Sequence, residues 1–267
     1  MVAVSAVRRC AVRRTKIEYG TELSQFGHLY VPRDVLDPAT PARVVVLVHG
    51  GSWSVEYGST IQTAVARTMA ERGAVVWNIE YRRVGEPGGG WPNTGRDVVG
   101  AIRALDGPVR EALQEQEVDL AAVDFSTVGV VGHSAGGQLA VWAVGKLGAR
   151  TASTTITTVV AQAAVLDTVS AADKQSLRAL MGRPYSESPR RYEEASPLLA
   201  PVFDAHVVAI TGDEDDLVPD VVSRRYVDDA ISRGQSAELI VVPGEGHEAF
   251  VDPGTGCARQ TIRVLGI

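Results

Sequence analysis

Hydrophobic residues along this chain gather in short, unbroken, β-branched runs rather than in a regular alternation with polar ones. The runs lie at 42–48 (ARVVVLV), 74–80 (AVVWNIE), 127–131 (TVGVV), 156–165 (ITTVVAQAAV), 206–210 (HVVAI) and 237–242 (AELIVV). Continuous apolarity in such short segments predicts strands covered on both faces, as in a parallel sheet. Between them, helical patterns occupy 60–72, 95–114, 136–147 and 219–233. Strand and helix alternate, which predicts an α/β fold with a mostly parallel central sheet and helices on both faces. Residues 14–19 and 27–31 read as an antiparallel edge hairpin ahead of the parallel part.

Two segments break the rhythm. Residues 85–93 (GEPGGGWPN) are too rich in Gly and Pro for regular structure. Residues 167–200 form a polar, partly helical insertion that ends in the turn signals Ser196-Pro197 and Ala200-Pro201. A long excursion from a compact sheet is usually functional or disordered, and this one is expected as a small cap above the strand ends. The 267 residues suit a single domain over 1–267 with the cap inside it. Residues 1–13 are expected to be disordered: Arg8, Arg9, Arg13 and Arg14 are followed by no apolar core, which makes a poor secretory signal.

Composition narrows the function classes. The chain is 45% hydrophobic and 22% charged, so it has the means to bury a full core. Its net charge of −6 provides no field for nucleic acid or anionic lipid, and no apolar stretch is long enough for a membrane span. The expected partners are therefore a small-molecule substrate, with neither nucleic acid nor membrane, and a homodimer is left open. Cys10 and Cys257 have neither metal-ligand spacing nor the density of a disulfide framework, so a reduced, cytoplasmic protein without a metal is expected.

The strongest chemical signal is Gly132-His133-Ser134-Ala135-Gly136-Gly137, directly after an apolar run and before a helical one. In a strand–turn–helix elbow a nucleophile needs small neighbours so that strand and helix can close around it. Ser134 then stands at a helix N-terminus, where free N–H groups favour developing negative charge. The second signal is His49-Gly50-Gly51-Ser52-Trp53, after another strand. Its glycines let the backbone approach a substrate oxygen, so the amides of Gly51 and Ser52, with that of Ala135, are candidates for an oxyanion hole. His49 itself is expected to be structural.

A serine nucleophile needs a base, and the base needs an orienting acid. His133 should diverge from Ser134 across the elbow, His28 lies at the early edge, and His206 begins a buried strand. His247 remains, in the flexible loop VPGEGHEAF after the last strand. The acid must come from a strand end between the two, where ITGDEDDLVPD offers Asp213, Asp215 and Asp216. Asp215 is favoured, with Asp213 second, and the others read as loop and helix-cap acids. Trp53 and Trp91 lie in loops expected near the pocket, where they either stack on substrate or wedge the loops. Glu80-Tyr81 reads as a loop anchor.

The order Ser134, Asp215, His247 resembles the α/β-hydrolase fold over nearly the whole chain. HGGSW, followed by NIEYRR and GGGWP, resembles the HGGxW branch of small esterases and arylformamidases (kynurenine formamidases). It departs at Ser52 from the HGGG pattern of the hormone-sensitive lipase group. The resemblance implies acyl transfer through Ser134, with His247 as base and then acid, Asp215 holding the imidazole, and no cofactor. Three functions are carried forward: a carboxylesterase for small molecules, an amide or formamide hydrolase, and a catalytically silent ligand-binding member of the fold.

Overall fold

The computed structural model describes residues 11–34 and 36–267. The chain enters through β1 (Val12–Glu18), β2 (Phe26–Pro32) and β3 (Ala42–Val48), then α1 (Thr63–Glu71) and β4 (Val75–Ile79). It continues through α2 (Asn93–Arg103), α3 (Pro108–Glu115), β5 (Val123–His133), α4 (Ala135–Leu147) and β6 (Ile156–Gln162). Two short helices follow, α5 (Gln175–Met181) and α6 (Pro189–Ala195), then β7 (His206–Gly212), α7 (Asp220–Ser232), β8 (Ala237–Val242) and α8 (Gly256–Leu265).

All eight strands join one sheet in the order β1-β2-β4-β3-β5-β6-β7-β8. β1 and β2 form the expected antiparallel edge; from β4 onward every neighbour is parallel. The unbroken apolar runs conceal a period of two, because successive side chains of a strand point to opposite faces. Val44, Val46 and Val48 enter one core, while Val45 and Leu47 enter the other. The first core lies under α2, α3, α4 and α7; the second lies under α1 and α8. Among the described residues no helix is long and apolar enough to cross a membrane.

Several expectations need correction. The helix expected over 95–114 is two helices, broken by a turn at Ala104–Asp106 and Gly107. Pro108 lacks an N–H to continue a helix but suits the first position of a new one, which is where it stands. The strand expected at 127–131 starts at Val123, across a register shift whose polar residues Asp124, Ser126 and Thr127 bond one another. Helix α8 lacked a recognised signal. Of the disordered start expected at 1–13, residues 1–10 lie outside the described residues, as does Cys10. Val12 and Arg13 are already strand, paired with Pro32 and Val31.

Candidate active site

Ser134, Ala135, the 51–53 loop, Asp215 and His247 all follow the C-terminal ends of parallel strands, where an α/β sheet presents its ligand crevice. Ser134 follows β5, in the middle of the sheet, with φ 53° and ψ −116°. A serine in this sparsely populated region persists only where its surroundings hold it. They do. The Ser134 amide donates to Gln162 O at 2.7 Å. A Cβ on Gly132 would stand 2.2 Å from Gly136 O, and one on Gly136 would stand 2.2 Å from Val48 O. The glycines are what allow helix, elbow and neighbouring strand to occupy the same small volume.

The loop after β3 is equally constrained. Gly51, Ser52 and Trp53 all have positive φ, at 103°, 55° and 57°. His49 anchors it: Nε2 lies 2.7 Å from Glu80 Oε1, its ring stacks on Tyr81 at 4.2 Å, and the Tyr81 hydroxyl donates to His49 O at 2.7 Å. Glu80 also accepts the Ser59 amide at 2.9 Å. Burial acts to raise the Glu80 carboxyl pKa, but the hydrogen bond and charge of His49, the Ser59 amide and Arg83 together outweigh it and the pKa is lowered. Among the described residues the amides of Gly51, Ser52 and Ala135 donate to no backbone acceptor.

Two further loops bring His247 and Asp215 together. His247 Nδ1 lies 2.8 Å from Asp215 Oδ2, while Asp215 Oδ1 accepts the amides of Leu217 and Val218 at 2.9 and 2.8 Å. Those two bonds fix the carboxylate before the imidazole reaches it. Asp213 turns elsewhere and accepts the Gly244 amide at 2.6 Å. The loops are clamped by Glu214 N donating to Glu245 O at 3.1 Å, an approach so close that a Cβ on Gly212 would collide with the same carbonyl at 1.8 Å. The Glu245 carboxylate in turn accepts the first amides of α8, from Gly256 and Cys257.

His133 does more than diverge from Ser134. Its Nε2–H donates to the His247 carbonyl at 3.0 Å, and the two rings lie 4.8 Å apart. Burial, then the neighbouring charge of His247, lowers its pKa to about 3. It is therefore a neutral prop under the backbone of His247.

Ser134 and His247 line one cavity of about 490 Å³, together with Ser52, Trp53 and Ala135. No hydrogen bond joins the Ser134 hydroxyl to His247 among the described residues, a spacing common before substrate arrives. Trp53 is buried in the cavity wall, its Nε1 donating to Gln138 Oε1 at 3.1 Å. Trp91 does not line this cavity. It packs edge-on against Trp142 at 4.6 Å and lines a separate surface hollow, because the backbone of its loop is tied to Leu180 and Arg191.

Sequence reasoning missed Gln138, which joins Trp53 to Ala195 O and so ties the elbow helix to the 167–200 segment. It also missed the wall from Leu217 through Tyr226, although Val221 and Val222 at the start of α7 add apolar residues to those that face the core, Tyr226, Val227 and Ala230.

Residues 60–263 match the model of the prolyl oligopeptidase family. The chain belongs to that family. Among relatives of this prolyl oligopeptidase family member is esterase LipC of Mycobacterium tuberculosis, 28% identical over 259 residues, covering 88% of this chain and 60% of LipC. A second is rat neutral cholesterol ester hydrolase 1, 38% identical over 103 residues, or 37% of this chain and 22% of the relative. The chain thus spans 60% or less of the length of these relatives. In fold it is similar to a truncated carbohydrate esterase from gut microbiota, with TM-score 0.78, 19% identity, and 98% and 97% of the two chains covered. A bacterial heroin esterase superposes with TM-score 0.73 at 21% identity, over 98% and 84% of the chains. These likenesses assign the α/β-hydrolase fold.

Proposed function

We propose that this family member is a serine hydrolase that cleaves small carboxylic esters through an acyl-enzyme. The observation that carries the reading is the 2.8 Å contact between His247 Nδ1 and Asp215 Oδ2 in loops that border the Ser134 cavity. With Asp215 accepting a hydrogen bond from Nδ1–H, Nε2 of His247 is free to take a proton from Ser134 Oγ as it attacks the carbonyl carbon. The oxyanion would meet the unspent amides of Gly51, Ser52 and Ala135. His247 then returns the proton to the leaving alkoxide, and water attacks the acyl-enzyme by the same route in reverse. These steps require no metal or redox cofactor.

In this reading the chain acts as one unit, residues 167–200 form the cap, and Trp53 is the substrate-side aromatic. The esterase names of LipC and the structural neighbours support ester over amide. Amide cleavage, including formamides as the HGGxW motif suggests, is the second reading, favoured by the family itself. The test compares kcat/KM for p-nitrophenyl acetate and N-formylkynurenine, each corrected with Ser134→Ala. Ester turnover dependent on Ser134 is expected. A clear preference for the formamide would move the protein to the second reading, and equal rates in wild type and Ser134→Ala would end both.

A further inference from the structure

The cavity walls are mostly apolar, yet besides His247 and the Tyr226 phenol three ionisable side chains line them: Asp167, Lys174 and Arg225. Asp167 is buried and fully engaged. Its Oδ1 accepts the amides of Val169 and Ser170 at 3.1 and 3.0 Å, and its Oδ2 accepts the Ser170 hydroxyl at 2.5 Å. Arg225 Nη1 lies 3.0 Å from that same Oδ2 and 3.0 Å from Ser170 Oγ. Among the described residues the other guanidinium nitrogens of Arg225 donate to no protein acceptor. Lys174 Nζ makes one long contact, 3.4 Å to Leu217 O, and meets no carboxylate.

Three neighbouring acids are committed elsewhere, and Asp216 does not line the cavity. Asp173 pairs with Arg178, Asp220 with Arg224, and Asp215 with His247. The lining therefore carries two cations against one spent carboxylate, with N–H donors left over on both cations. A solvated surface lysine or arginine would mean nothing in itself. Both are solvent-exposed here, Arg225 to 62%, but they come from separate elements, the segment before α5 and the body of α7, and border the same cavity as Ser134.

We propose that the ester cleaved here carries a free carboxylate, which Lys174 and Arg225 hold. Its hydrocarbon portion lies along Leu177, Leu198, Val222 and Tyr226. A carboxylate entering an apolar cavity loses water, a cost recovered only where opposite charge and N–H donors replace it. A guanidinium supplies a planar fork and an ammonium a point charge, and either replaces water on a carboxylate. A neutral ester leaves the excess charge unmatched, and selectivity follows from that difference.

The inference rests on Ser134 acting on esters, and the experiment separates the two. Two probe pairs place the acid on either side of the ester: p-nitrophenyl hydrogen adipate against its terminal-amide counterpart, and para-acetoxybenzoate against para-acetoxybenzamide. The acid-to-amide ratio of kcat/KM is taken within each protein, so any general loss of activity cancels. At least one pair is expected to favour the acid by about tenfold at low salt. That preference should shrink with added salt, fall to within about twofold in the Lys174→Gln/Arg225→Gln double variant, and reverse in Lys174→Glu. Turnover of all four esters with ratios near one, or an acid preference that survives the double variant, overturns the inference and leaves the ester reading intact. If no ester is turned over, that reading fails and binding decides: calorimetric titration should show hexanoate binding more tightly than hexanamide, and equal or absent binding overturns the inference too.

Discussion

The two sides of the cavity are built differently. On the Ser134 side every position is over-determined. The elbow glycines leave less room than one methyl group would need, Ser134 and the 51–53 loop hold positive φ, and His49, Glu80, His133 and Glu245 are each engaged with backbone. On the cap and α7 side, Leu217 and Val221 are 58% and 60% exposed, and Arg225 and Lys174 are held by contacts their side chains could exchange. The acyl transfer proposed for Ser134 needs its reacting atoms fixed to a fraction of an ångström. A wall that only selects substrate does not, and it can change without disturbing the sheet.

Substitutions can sharpen or break this contrast, and the largest effects should come from the rigid side. Ser134→Ala is expected to lose three or more orders of magnitude in turnover with unchanged thermal unfolding; retained activity would place the reaction elsewhere. Asp215→Asn should lose about three orders, because the imidazole is left without its partner, whereas Asp213→Asn should stay within about threefold. Assayed side by side, similar losses in both would mean that the Asp215 contact is not what matters.

Gly136→Ala should act on stability. With Val48 O only 2.2 Å from the new Cβ, a loss of about 3 kcal/mol or more is expected in urea unfolding. A near-normal midpoint would show that the elbow is looser than its geometry implies.

Acid should reveal the neutral prop beneath His247. Since His133 titrates near 3 when folded and near 6.5 when unfolded, the unfolded chain binds the extra proton between those values. Stability therefore falls as pH drops through that window, by up to about 1.4 kcal/mol per pH unit. His28 adds to the same slope; burial, then Arg14 and Lys16, holds its pKa below the ordinary value. His133→Asn should flatten the dependence between pH 6 and about 4.5, and an unchanged slope would assign it to other groups.

The smallest effects belong to the open wall. Leu217→Ser and Val221→Ser should shift the preference for acyl chain length a few-fold while stability stays within about 0.5 kcal/mol. Loss of folding in either would remove the distinction between the two sides.

Much of this was legible in the residue order. Apolar runs separated by helical patterns specify the sheet, and loops after β3, β5, β7 and β8 must then emerge on one edge. That placed His49 to Trp53, Ser134, Asp215 and His247 on a common edge before any contact was known. Less legible was the choice among Asp213, Asp215 and Asp216, since three adjacent acids look alike until one meets an imidazole 32 positions away. The role of Trp91, stacking or wedging, stayed open for a similar reason: a tryptophan in a Gly/Pro loop has no intrinsic direction, and contacts with Leu180, Arg191 and Trp142 turn it from the cavity.

By itself, then, the sequence determined the strand and helix succession, the elbow and the loops that carry reactive groups, because periodicity and backbone sterics act over a few neighbouring residues. Only the tertiary structure decided which carboxylate meets His247, that His133 supports the backbone of His247 from beneath, and that Lys174 and Arg225 border one cavity. Those outcomes depend on pairings between residues far apart in the chain, and such pairings exist only once the sheet has brought the strand ends together.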